Sequence, residues 1–288
     1  MQIEKLGERN IRIAFGEDMP TTTHIIIGEN RVYVCDTYLG PLPMQEVSKL
    51  LEREGAANRP IVVFNSHADW DHIWGNCYFT ASLIAAHSSS RKRVLEDGEN
   101  DLKKWGEYVE GEVTLIPPNL LFDTKLIYAD DGVEFYHTPG HTIDSSSCYD
   151  HQDKVLFVGD NVEADIPYVN HLNFDSYIKS LNSYLQKDWI ALVPGHGAIQ
   201  YDSSLVRSNI THLEKFREWK VDIGTLTEGA LRVHLYALMT LVDELIGVEV
   251  EDRVRVHYSE ALEHAQRLEQ TEKIQSYIER ISIIANNP

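Results

Sequence analysis

The stretch His67–His72 reads "HADWDH", and four of its residues can bind a metal ion: His67, Asp69, Asp71 and His72. It follows "PIVVFN", a short apolar run of the kind that forms a strand buried on both faces. Three more strand-like runs end in the same chemistry. "FYHTPGH" ends at His141, "LFVGD" at Asp160 and "LVPGH" at His196. Strand ends of a layered α/β sheet can converge on one edge. A catalytic zinc takes three protein ligands and an open position, so this set exceeds the needs of one tetrahedral ion. It suits two ions that share a bridging carboxylate. Imidazoles favour zinc or iron over magnesium or calcium, and the added carboxylates bring manganese and iron into range. Any one of these histidines could be structural, and "PGH" alone could be turn chemistry. Those readings must explain four strand ends at once.

The elements that would position these groups can be read from the pattern. "IRIAF" (11–15), "THIIIG" (23–28) and "RVYVCDT" (31–37) are rich in β-branched and aromatic residues and predict strands. "GPLPMQEVSKLLEREG" changes to helical spacing, with Gly55 as its stop. "ASLIAAHSSSRKRVLEDG" predicts a strand running into a helix, and "KLIYADDGVEFYH" a strand, a turn and a strand. "DKVLFVGD" and "IALVPG" predict two more strands, with "SYIKSLNSYLQKD" an amphipathic helix between them. After about Tyr201 strand signals nearly vanish. "SSLVRSNITHLEKFREWKVDI", "TEGALRVHLYALMTLVDELIG" and "SEALEHAQRLEQTEKIQSYIERISII" read as helices, the first and third opening on a serine placed to cap them. The expected organisation is an α/β body over residues 1–201 and a helical extension over 202–288.

Bulk properties narrow the function. Of 288 residues, 43% are apolar, enough for a sizeable core. A formal net charge of −19 would repel a nucleic-acid backbone from most of the surface. "RKR" (91–93) is the compact basic cluster, and a solvated helix face accounts for it. Three scattered cysteines without a CxxC pair suit a reducing compartment. The first twenty residues hold no apolar leader, and no run approaches a membrane span. A cytoplasmic protein acting on a small molecule is expected, with no nucleic-acid or membrane partner. A homodimer through the helical extension would give its apolar stripes something to cover.

Taken together, "HADWDH", "TPGHT", "FVGD" and "VPGHG" resemble, in order, the motifs of the metallo-β-lactamase superfamily, in its dinuclear hydrolase branch. The resemblance covers roughly residues 11–200. It implies an αββα sandwich with the site along one edge of two packed sheets. It implies that His67, Asp69 and His141 hold one metal, that Asp71, His72 and His196 hold the other, and that Asp160 bridges them. True β-lactamases commonly carry a cysteine at the bridging position, so Asp160 argues against antibiotic hydrolysis. Two cations, zinc foremost, would acidify a shared water to hydroxide, which would attack an ester, lactone, thioester or phosphoester. Asp71 would move the proton. Asp36, in "CDT", either orients a ligand histidine or serves as a strand-end turn residue. Tyr168 and His171 lie where family members often contact substrate, and Trp70 is expected to pack against the core.

Asp69 departs from the family's HxHxDH pattern. It puts a shorter, anionic oxygen where a neutral imidazole is usual, lowering the site's charge by one and favouring a harder ion such as iron or manganese. The flavodiiron oxygen and nitric oxide reductases carry a glutamate there and bind iron. The alternatives are therefore a di-iron redox or sensor protein and a metal-binding scaffold without turnover.

Overall fold

The computed structural model describes residues 1–17 and 20–286. The fold is mixed α/β, built on two sheets. The first has seven strands in chain order: β1 (Gln2–Leu6), β2 (Asn10–Phe15), β3 (Thr21–Ile27), β4 (Val32–Cys35), β5 (Ile61–Phe64), β6 (Leu83–His87) and β7 (Leu120–Phe122). Strands β1 to β4 are antiparallel, whereas β4 to β7 run parallel. Parallel neighbours need crossovers. Helix α1 (Pro41–Arg53) supplies the first, the short helix α2 (Trp70–Ile73) with a 3₁₀ turn the second, and α3 (Ser88–Trp105) the third. The second sheet runs β12-β11-β10-β9-β8, from β8 (Lys125–Tyr128), β9 (Val133–His137), β10 (Ser146–Asp150), β11 (Val155–Gly159) and β12 (Ala191–Pro194). Strand β12 returns parallel to β11 after α4 (Phe174–Leu185).

Alternation along the strands builds two cores. Ile26, Tyr33, Cys35, Val62 and Phe64 of the first sheet meet Phe135, Cys148, Phe157 and Val193 of the second, and Phe64 stacks on Phe135 at 4.3 Å between centroids. The opposite face of the first sheet, with Ile13, Ile25, Val34 and Val63, packs against Val47, Leu50 and Leu51 of α1 and Val94 of α3. Strand β4 is buried on both faces, and β5 is so from Val62 on, as its continuous apolar run predicts.

By backbone contacts the chain forms two compact units. One comprises residues 1–139, 143–161 and 187–202; the other comprises 140–142, 162–186 and 203–288. The second unit holds α4 and α5 (Ser204–Arg217), α6 (Glu228–Leu245), α7 (Asp252–Ala265) and α8 (Glu272–Ala285), with α8 packed on α6 and α7. No described helix is long and apolar enough to cross a membrane.

Local expectations change in three places. The last helical stretch is two helices broken at 266–271, and Ser259 is no cap: it lies inside α7, where its hydroxyl donates to the Arg255 carbonyl at 2.9 Å. Strands β1 and β10 were not legible, because "QIEKL" is charged and "SSCYD" is serine-rich. "RKR" is only in part a solvated face: Lys92 is exposed, whereas the two arginines are engaged. Arg91 donates to the Pro118 carbonyl at 2.6 Å, and Arg93 turns inward between two carboxylates.

Candidate metal centre

Strand β5 delivers Asn65 to the sheet edge, and the chain turns at once into "SHADWDH". The turn is pinned from below. Asn65 and Asn76 exchange side-chain amide bonds at 3.0 and 2.9 Å, while the Ser66 carbonyl accepts from the Ser146 amide at 2.8 Å. Trp70 packs among Trp74, Trp105 and Tyr108, with ring centroids 5.2–5.5 Å away, and holds α2 against the outer core.

Asp36 is the hub beneath the site. It is fully buried with a φ of 59°, and its carboxylate accepts from the Ser66 amide at 2.7 Å, the Ser66 hydroxyl at 2.6 Å and His72 Nδ1 at 2.7 Å. Ser66 Oγ in turn meets His67 Nδ1 at 2.9 Å. An ionised carboxylate can only accept, so His72 carries its proton on Nδ1. The Ser66 hydrogen is committed to Asp36, so His67 Nδ1–H donates to Ser66 Oγ. His196 Nδ1–H likewise donates to the Pro20 carbonyl at 3.2 Å. In all three imidazoles the proton sits on the far nitrogen and the Nε2 lone pair faces inward.

Those lone pairs face carboxylate oxygens. Asp160 Oδ2 lies 3.2 Å from His72 Nε2, 3.3 Å from His196 Nε2 and 3.7 Å from His67 Nε2. Asp71 Oδ2 lies 3.3 Å from His196 Nε2 and 3.6 Å from His72 Nε2. Asp69 Oδ2 lies 3.6 Å from His67 Nε2. Acceptor faces acceptor, an arrangement that calls for a shared cation. The spacing fits one: two donors each ~2.1 Å from an ion at a tetrahedral angle lie ~3.4 Å apart. His72 carries this test most cleanly, since its Nε2 is buried and makes no hydrogen bond. The donor set therefore fits divalent metal, and Asp71, His72 and His196 form one compact ligand group.

The same crowding polarises the protonation equilibria. Burial alone would lower the pKa of His72, but the charges of Asp160, Asp71 and Asp36 outweigh it and raise it well above the usual value. His196 is raised in the same way by Asp160 and Asp71. Burial would raise the Asp71 and Asp160 carboxyls, yet the imidazoles beside them hold both below the usual carboxylate range. With no cation present, a proton on Nε2 of His72 and of His196 would balance these anions; a divalent ion would take the place of those protons and leave the lone pairs to bind it.

Two glycines make the approach possible. A Cβ on Gly195 would lie 2.0 Å from Asp160 Oδ1 and 3.0 Å from His72 Cε1. Gly159, with a φ of 53°, would press a Cβ onto Ser66 Oγ at 2.6 Å.

His141 is buried at the turn between β9 and β10, within the second unit. There its Nε2 accepts from Asn170 Nδ2 at 3.4 Å, its Nδ1 lies 3.9 Å from Glu163 Oε2, and its ring meets Tyr168 edge-on at 6.4 Å. His171 Nδ1 accepts from the Asn173 amide at 3.1 Å. Of the remaining histidines, His24 is packed against Phe157, with burial lowering its pKa to about 4. His234 on α6 and His257 on α7 are both buried, with their Nε2 atoms 2.9 Å apart.

Sequence reasoning passed over Ser66, Arg93, Asp144 and Pro20. Ser66 directly precedes the first ligand candidate, a usable signal. The other three reach the centre through tertiary contacts that no spacing reveals.

The metallo-β-lactamase superfamily model matches residues 16–223, and the chain belongs to that superfamily, as a hydrolase of its fold. An acyl-coenzyme A thioesterase, MBLAC2 of Gallus gallus, is 26% identical over 199 residues, covering 60% of this chain and 70% of that protein. Among solved structures, a metallo-β-lactamase from Pontibacter korlensis aligns with a TM-score of 0.57 at 18% identity, over 74% of this chain and 98% of its own. One from Hirschia baltica aligns at 0.56 and 14%, over 73% and 96%. The two structures share the fold with this chain.

Proposed function

We propose that this protein is a dinuclear metal-dependent hydrolase that cleaves the acyl bond of a small thioester, with oxygen esters and lactones as related substrates. One observation carries the reading: three imidazoles, each with its proton fixed on the far nitrogen, aim their Nε2 lone pairs at three carboxylates. The name of the MBLAC2 relative supports the thioester class. In this reading His67, Asp69 and His141 would hold one ion, Asp71, His72 and His196 would hold the other, and Asp160 would serve both. Bound there, two zinc ions would supply Lewis acidity that activates water and stabilises developing negative charge.

The chain's own groups do the rest. Asp36 and Ser66 hold the imidazole tautomers so that no ligand has to turn over its proton before binding. Asp71 directs Oδ2 at the imidazoles and leaves Oδ1 to take the proton from the attacking water. Tyr168 and His171 contact the substrate.

Metal analysis of protein purified without chelator should find two ions per chain, predominantly zinc. Acyl-coenzyme A hydrolysis should then fall about a hundredfold or more in Asp71→Ala and be lost in His196→Ala. Two-metal protein that turns over no thioester, ester or lactone would overturn the reading.

A further inference from the structure

Asp69 is the residue of "HADWDH" that departs from the superfamily pattern, and the fold gives it a partner. Arg93, on the second turn of α3, donates through one terminal nitrogen to Asp69 Oδ1 at 2.6 Å. Its other terminal nitrogen donates to Asp144 Oδ1 at 2.6 Å. Asp144 is fully buried, and the Ser90 hydroxyl holds its second oxygen at 2.6 Å. Burial would raise the Asp144 carboxyl, but the Arg93 charge holds it below the usual range. The guanidinium is therefore anchored from behind by a carboxylate that cannot reach water. It presents its free edge to Asp69.

This geometry divides the Asp69 carboxylate. Oδ1 belongs to Arg93, and Oδ2 faces His67 Nε2 at 3.6 Å. We propose that Arg93 is the positioning residue for the ion held by His67 and Asp69: it fixes Asp69 so that a single oxygen is offered to the metal, and its positive charge offsets the anion that replaces a neutral imidazole. Two carboxylates on separate nitrogens of one planar fork is a task for arginine, because a lysine ammonium cannot span both in fixed geometry. The pair also answers how a site can keep its acidity with an aspartate at this position. The extra negative charge is countered within hydrogen-bonding distance.

The inference rests on the dinuclear reading, and the test separates the two. Metal stoichiometry and affinity are measured by equilibrium against a competing chelator in wild type, Arg93→Ala, Arg93→Lys, Asp69→His and the Asp69→His/Arg93→Ala double variant, with circular dichroism as the control for folding. Wild type should hold two ions. Arg93→Ala should keep one ion at wild-type affinity and bind the other about 10–100-fold more weakly. Arg93→Lys should fall between them. The double variant, which pairs a neutral ligand with no guanidinium, should regain most of the loss, giving a coupling that a merely structural arginine would not show. If Arg93→Ala does not fold, the Arg93→Lys loss and the affinity of the double variant relative to Asp69→His alone decide the question. Wild type with two ions and Arg93 variants of unchanged affinity would overturn the role of Arg93 alone. Wild type holding fewer than two ions would overturn the dinuclear reading and this role with it.

Discussion

At the scale of single residues, the centre is governed by where protons are forbidden. Asp36 was open to two readings, a turn residue or a group that orients a ligand histidine, and its geometry suits both. Its positive φ ends the strand at Cys35, and the same turn throws its carboxylate under His72 and Ser66. Asp36→Ala should therefore weaken metal binding about 10–100-fold while the ligands themselves are untouched. Chelator competition reads that loss directly, and unchanged affinity would rule out the orienting role. Asp69 shows the converse. Its type suggested a less positive site, but Arg93 restores part of the balance from twenty-four positions downstream. Nothing in "RKR" distinguishes the inward-turned Arg93 from Lys92 beside it, which is exposed.

At the scale of elements, the strands act as rails and the short connections as sockets. Strand β12 ends in Pro194, and Gly195 lets the chain pass within contact of Asp160 and His72. Gly195→Ala should displace one of these two groups, lower metal content and reduce activity, with metal-to-protein ratio as the measurement. Among the helices, α6 and α7 bury His234 against His257. Burial lowers the His257 pKa to about 4 and pushes that of His234 well down. Both groups fold as neutral imidazoles, so their contribution to stability is complete above the unfolded value of about 6.5 and is lost as pH falls toward 4. Each contributes a slope of up to about 1.4 kcal/mol per pH unit in that window. Hydrogen-exchange protection of α6 and α7 peptides, taken relative to the intrinsic rate at each pH, should fall between about pH 6.5 and 4, and His257→Phe should flatten the trend.

At the scale of the folded body, the two sheets are joined by their apolar faces and also by a buried ionic link. Arg9, just before β2, and Asn10 both bond Asp150 at the end of β10, and the Arg9–Asp150 pair is buried. Burial opposes ionisation of Asp150, but the bonds from Arg9 and Asn10 hold its carboxyl below the usual range. Its contribution is thus present above the unfolded value of about 3.9 and disappears as pH falls through the lower folded value. Arg9→Met leaves Asp150 buried without its cation and should cost about 3–5 kcal/mol in chemical denaturation at neutral pH. A change under 1 kcal/mol at neutral pH would show that the link is dispensable (~1 kcal/mol is the ceiling for an exposed pair).

The order of chemistry-bearing strand ends was legible in the chain, because each metal-capable residue follows an apolar run whose period is set by local backbone geometry. So were the family and the mixed α/β class. The partners of those residues were not. Ser66 and Asp36 lie thirty residues apart and touch only because β4 and β5 pair in parallel register. Arg93 meets Asp69 because α2 and α3 pack together, and Asp144 reaches Arg93 from the connection between β9 and β10. The clustering of residues 162–186 with the C-terminal helices likewise has no trace in composition. Sequence periodicity records which face of an element is buried. Which side chains then meet across that burial, and which protons they fix, is decided by packing between elements far apart along the chain.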